Sequence, residues 1–134
     1  MAAKDGGLVL VCADLVGMEG TETAGKLFGD VDAIYDEAGM NSVPAYERER
    51  YCRALAEAVR PGAAGIVSTL EWTEVDTGGS KAEDCPPYAC KPGEALAALT
   101  GAGFKVRLVS RKAKAFGAGG VGGFETVWAI KKKQ

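Results

Sequence analysis

Residues 8–13, Leu8-Val9-Leu10-Val11-Cys12-Ala13, decide how the rest of the chain is read. They form a continuous apolar run with β-branched members, entered from Gly6-Gly7. That is the pattern of a strand buried on both faces, and such strands predict a parallel sheet. Val31-Asp32-Ala33-Ile34-Tyr35 follows as a second, shorter strand. Residues 16–30 between them hold four glycines and several acids, and read as a loop with one helical turn at 24–28.

Further along, residues 45–60 form the clearest helix. Tyr51, Leu55 and Val59 recur at i, i+4 and i+8, with Cys52, Ala56 and Ala58 beside them. Pro61-Gly62 stops it, and residues 64–70 make a third strand. The polar residues 73–85 show no period and read as a surface loop. Pro92 and Glu94 introduce a short helix at 95–102, closed by Gly103. Residues 104–108 alternate apolar and charged, and 124–130 are strand-like again. Two strands with no helix between them predict an antiparallel pair. The expected class is α/β, a mostly parallel sheet finished by a C-terminal antiparallel hairpin, in one domain.

Composition narrows the chemistry. The chain has 134 residues, 47% apolar and 25% charged, with a formal charge of -2. That balance argues against non-specific nucleic-acid binding, which needs a surplus of Lys and Arg. No apolar run approaches the roughly 18 residues of a membrane span, and residues 1–7 lack a secretory signal. With no histidine, Ser-His-Asp and Cys-His nucleophiles and a His-ligated zinc are excluded. Cys12 and Cys52 read as packed thiols, and Cys85 and Cys90 lack zinc-site spacing. The chain is expected to bind no metal and to be cytoplasmic.

Ligands of open α/β sheets sit beyond the C-terminal ends of the strands. Here the three parallel strands run into Asp14, Asp36-Glu37 and Glu71-Trp72. Each acid alone reads equally well as a polar residue leaving the sheet for water. Three at one rim suit a ligand with hydroxyl donors or positive charge, such as a ribose or a sulfonium with its amino group. The stretch from Gly117 to Gly123 lacks the Lys-Ser/Thr of a phosphate loop and reads as a hairpin connection. Lys131-Lys132-Lys133 reads as a solvated tail. Arg48 and Arg50 read as solvent-facing helix charges paired with nearby glutamates.

In order along the chain, several segments resemble the thiopurine S-methyltransferase family. They are Leu10-Val11-Cys12-Ala13-Asp14-Leu15, Val31-Asp32-Ala33-Ile34-Tyr35-Asp36-Glu37-Ala38, Pro44 with Arg48, Arg50 and Tyr51, Arg60-Pro61-Gly62, Thr69-Leu70-Glu71 and Pro86-Pro87-Tyr88. The resemblance implies a seven-stranded Rossmann-like sheet in the order 3-2-1-4-5-7-6, with residues 8–13 as strand 3 and residues 31–35 as strand 4. It implies S-adenosylmethionine as cofactor and methyl transfer to a small-molecule thiol or related acceptor. Asp14, Leu15 and Glu37 would then line the cofactor site, and Tyr88 would lie near the acceptor. Glu37 stands where the family usually places an Arg. Strands 1 and 2, with the glycine-rich cofactor loop, have no counterpart in residues 1–7. The chain therefore reads as a partial, N-terminally truncated domain over 1–134. Its first strand is expected either to pack on the second or to recruit another chain, as a homodimer or a complementing N-terminal polypeptide. The alternative to an enzyme is a non-catalytic remnant, or a binding or dimerisation module, of the same fold.

Overall fold

The computed structural model describes residues 15–17, 20, 22, 31–72, 86–116 and 121–134. The decisive run at 8–13 and Asp14 lie outside the described residues. Four strands form one sheet: β1 (Val31–Glu37), β2 (Val59–Trp72), β3 (Phe104–Phe116) and β4 (Val121–Lys132), in the order β1-β2-β4-β3. β1 and β2 are parallel, and β2–β4 and β3–β4 are antiparallel. This is the 4-5-7-6 portion of the expected strand order, with residues 31–35 in the place of strand 4.

A parallel pair needs a crossover, and helix α1 (Arg48–Ala58) provides it. The helix ends two residues before the expected stop at Arg60. Val59, at φ -119° and ψ 149°, already pairs with Val31, because its branched side chain prefers extended backbone. Pro61, which has no N–H to donate, falls where the register slips between Val31–Val59 and Ala33–Ala64. Residues 45–47 form a separate 3-10 turn ahead of α1, so the expected helix is divided.

The hairpin is longer than its sequence pattern. β3 and β4 pair from Phe104–Lys132 to Phe116–Val121, well past the apolar alternation. Helix α2 (Pro92–Gly101) leads into β3, and Gly103 makes the turn with φ 97°.

Both helices pack on one face of the sheet. Tyr51, Cys52, Leu55 and Ala56 of α1 and Ala95, Ala98 and Leu99 of α2 meet Val59, Val67, Phe104, Trp128 and Ile130. Phe104 and Leu99 are 1% and 0% exposed, each contributing on the order of 1.5–3 kcal/mol by burial. Buried Trp128 donates from Nε1 to Thr69 Oγ1 at 3.2 Å. The register places Tyr35, Ile66, Ala129 and Arg107 side by side on the opposite face.

Candidate active site at the strand tips

β1 and β2, being parallel, run towards the same end of the sheet, where β1 stops at Glu37, paired with Ser68, and β2 continues to Trp72. Past Glu37 the chain turns sharply at Ala38, whose φ of 57° and ψ of 24° are left-handed. Its N–H donates to Ser68 O at 3.1 Å. A 3-10 turn, Gly39–Asn41, then folds the chain back over the sheet. Asn41 is 1% exposed. Its Nδ2 donates to Leu70 O at 2.8 Å and to Tyr88 O at 2.6 Å, and its Oδ1 accepts from Leu70 N–H at 3.0 Å.

The acids of the rim separate into different roles. Asp36 is on the helical side of the sheet: its Oδ1 accepts from Gly39 N–H at 3.0 Å, and Tyr51 donates its hydroxyl to the same carboxyl. Oδ2 is buried and has no hydrogen-bond partner. Burial pushes the Asp36 carboxyl above its ordinary 3.8, against the pull of those two hydrogen bonds. Gly39 lies so close that a Cβ there would clash with Tyr51 Oη and Asp36 Oδ1. Glu71 is bound to Arg111 at 2.7 Å, and Arg111 also lies over the Phe124 ring. Glu37 is exposed and forms no ion pair among the described residues. Of the rim carboxylates among the described residues, Asp36 and Glu71 are engaged within the fold, which leaves Glu37 open; Asp14 lies outside the described residues.

Leu15 packs against the core cluster. Arg50, in the first turns of α1, donates to Val16 O at 3.4 Å, which puts Leu15 at the same end of the sheet as Glu37. Tyr88 is half-buried and its N–H donates to Asn41 O at 2.6 Å. Leu15, Glu37 and Tyr88 are therefore carried to one end of the molecule.

Arg48 departs from expectation. It is 3% exposed, donating to Glu94 Oε2 and to Ala89 O at 2.7 Å each, with a longer contact to Met40 O. Arg50 keeps its expected place on the surface beside Glu47. The sequence pattern marks neither Arg48 nor Asn41 as a buried anchor of the loop. For Arg48 the signal is of burial alone, since 48, 51, 52 and 55 share one helical stripe; Asn41 has none.

Both thiols near the site are buried and free. Burial pushes Cys52 up to about 12 and Cys90 up to about 11, so neither is a nucleophile at neutral pH. Among the described residues, no cluster of His, Cys, Asp or Glu could hold a metal ion. No described helix is long and apolar enough to cross a membrane. Among the described residues, the rim offers one exposed carboxylate without an ion pair, Glu37, and a Tyr88 whose backbone is held by Asn41.

Residues 2–132 match the thiopurine S-methyltransferase family. The chain belongs to that family. Among curated relatives, the thiopurine S-methyltransferase of Azotobacter vinelandii is 28% identical over 104 residues, covering 78% of this chain and 42% of the relative. That of Xanthomonas campestris pv. campestris (strain 8004) is 26% identical over 102 residues, covering 76% and 41%. The chain thus spans about two-fifths of the length of these thiopurine S-methyltransferases. A SAM-dependent methyltransferase from Methanosarcina mazei shares the fold, with a TM-score of 0.53, 17% identity, and coverage of 80% of this chain and 63% of that one. Membership implies S-adenosylmethionine as the cofactor. The donor set fits one side of that group, since the unpaired Glu37 carboxylate suits a sulfonium and an amino group.

Proposed function

We propose that this chain forms the acceptor side of an S-adenosylmethionine-dependent S-methyltransferase acting on a small thiol. The family match, running through both strand tips and the Tyr88 segment, carries the proposal. When bound, the cofactor supplies a methyl group that an acceptor thiolate takes, the carbon–sulfonium bond breaking as the sulfur–carbon bond forms and the thiol proton passing to water. Asp14, Leu15 and Glu37 hold the cofactor in this reading, Glu37 by its charge and Leu15 by apolar contact. Tyr88 lies beside the acceptor and keeps water from its sulfur. A thiolate needs no general base of unusual strength, and alignment within roughly 3–3.5 Å does most of the work. That matches a rim without histidine and with both neighbouring thiols held protonated. Location in a reducing cytoplasm belongs to the same proposal and agrees with free Cys52 and Cys90.

A specific observation favours a second reading. Glu37 places negative charge where the family usually has an Arg, which fits a non-catalytic binding module of the same fold. Calorimetric titration with S-adenosylhomocysteine separates the two. The enzyme reading expects saturable binding below about 100 μM, roughly -5.5 kcal/mol, lost in Asp14→Ala and weakened in Glu37→Ala. Absence of binding at millimolar ligand overturns it in favour of the module.

A further inference from the structure

We propose that Asn41 is a positioning residue that sets the acceptor wall by holding Tyr88 and the residues after it against the tip of β2, with Arg48 as the second point of attachment. This rests on the reading of the rim as an acceptor site. Residues 88–91 belong to no regular element, so their backbone groups need other partners. Tyr88 N–H donates to Asn41 O, Tyr88 O accepts from Asn41 Nδ2, and Cys90 N–H donates to Leu70 O. Ala89 O accepts from Arg48, and Lys91 N–H donates to Glu94, the same carboxylate that Arg48 binds. Two almost wholly buried side chains, Asn41 and Arg48, thus hold the carbonyls of Tyr88 and Ala89, while backbone bonds and the Glu94 carboxylate take the N–H groups.

The Asn41 amide is used on both of its atoms. Nδ2 bridges two carbonyls of different segments, and Oδ1 takes the N–H of the residue that offers one of those carbonyls. Three stretches of chain meet on it: the turn leaving β1, the end of β2, and the Tyr88 segment. Only an amide can both donate and accept in this way at that size. A carboxylate would face two carbonyl oxygens, and a serine would not reach both. A displacement of about 1 Å in a substrate-positioning group costs up to a hundredfold in rate, so the wall Tyr88 forms is only as good as this attachment. Stability alone does not require it: α2 has its own start in the Lys91–Glu94 cap and the Pro92 at its first position.

The test compares wild type with Asn41→Asp, the milder Asn41→Ser, and Arg48→Lys. Amide exchange by NMR reads the attachment directly. The Tyr88 and Cys90 amides are expected to lose protection about tenfold or more, while Val67 and Trp128 amides in the sheet keep theirs. In parallel, the KM for 2-nitro-5-thiobenzoate, a small aromatic thiol, is expected to rise about tenfold, with S-adenosylhomocysteine affinity unchanged. The effect should vanish on a Tyr88→Ala background, because the wall it positions is then gone. A residue that merely stabilises the fold would lower protection everywhere and leave KM alone. Retained protection at Tyr88 and Cys90 in Asn41→Asp overturns the attachment. Loosened amides with an unchanged KM overturn its role towards the acceptor. A wild-type chain that neither binds S-adenosylhomocysteine nor methylates overturns the functional reading and the acceptor role together, while the exchange pattern still decides the attachment.

Discussion

Replacing Ala38 by glycine should stabilise the protein, although the change deletes a methyl group at the candidate site. Ala38 holds φ 57° and ψ 24°, a conformation that costs an L-residue about 1–2 kcal/mol. Glycine adopts it freely but loses about 0.5–1 kcal/mol more conformational freedom on folding. The difference leaves Ala38→Gly about 0.5–1 kcal/mol more stable, and the N–H that donates to Ser68 O is retained. With a urea dependence of about 1–3 kcal/mol per molar, the unfolding midpoint should rise by about 0.2–1 M. The reverse change at Gly65 should act in the opposite sense. A Cβ there would lie 2.6 Å from Ile34 O, a backbone atom of the neighbouring strand that cannot yield without opening the β1–β2 pairing. Gly65→Ala should therefore cost about 1–3 kcal/mol. Equilibrium urea unfolding followed by circular dichroism measures both. A lowered midpoint for Ala38→Gly would refute the strained turn, and a neutral Gly65→Ala would refute the close strand contact.

Burial raises the Asp36 carboxyl, so the folded protein holds that proton more tightly than the unfolded chain. The resulting stabilisation is complete below the ordinary 3.8 and is lost as pH rises through the folded value. Asp36→Asn should flatten this decline, seen as a urea midpoint that changes less between about pH 4 and 7; an unchanged slope would place the effect elsewhere. Cys52 and Cys90, held near 12 and 11, should escape iodoacetamide at about pH 8 in the native protein and react in urea, as peptide mapping would show. Their raised values also imply stability lost as pH climbs above the ordinary 9 of a thiol. Lys132 Nζ donates to Ala56 O at 2.5 Å and to Val59 O at 2.7 Å, closing the end of α1. Lys132→Met should lower the melting temperature by about 2–6 °C, for a loss near 1 kcal/mol, and Lys132→Arg should recover most of it.

The parts of the fold that could be read in advance are those where one local pattern decides the outcome. Residues 31–35 and 64–70 are apolar runs short enough for strands, and residues 104–108 alternate as a half-covered strand must. The helix over 92–101 carries its start in Pro92 and Glu94. What escaped was set by pairing across the chain. Half of residues 111–116 are basic and only Phe116 is a large apolar residue, yet they remain in β3 because β4 supplies a hydrogen-bonded partner throughout. Glu71 reads as an open rim carboxylate until Arg111 of β3, forty residues later, is placed against it. Glu37 is legible as the last residue of its strand because that position depends only on where β1 ends.

Arg48 shows why the polar part of such a site hides in a sequence. Its position continues the apolar stripe of α1 by one turn, and a leucine or methionine there would pack on Met40 and Cys52 at no cost in desolvation. A guanidinium buried to 3% exposure must instead find an acceptor for each donor. Here those acceptors are Met40 O, Ala89 O and the half-exposed Glu94 carboxylate. Two of the three are carbonyls of turns that no regular element satisfies. Replacing the ion by a hydrocarbon would keep the helix and orphan the turns. The buried charge therefore contributes little to the stability of α1 and a great deal to the course of the chain from Ala89 to Glu94. Asn41 makes the same exchange from the other side, through Leu70 and Tyr88. Polar groups placed in a core at that cost, and aimed at a loop on the rim, locate the part of the molecule whose geometry matters most.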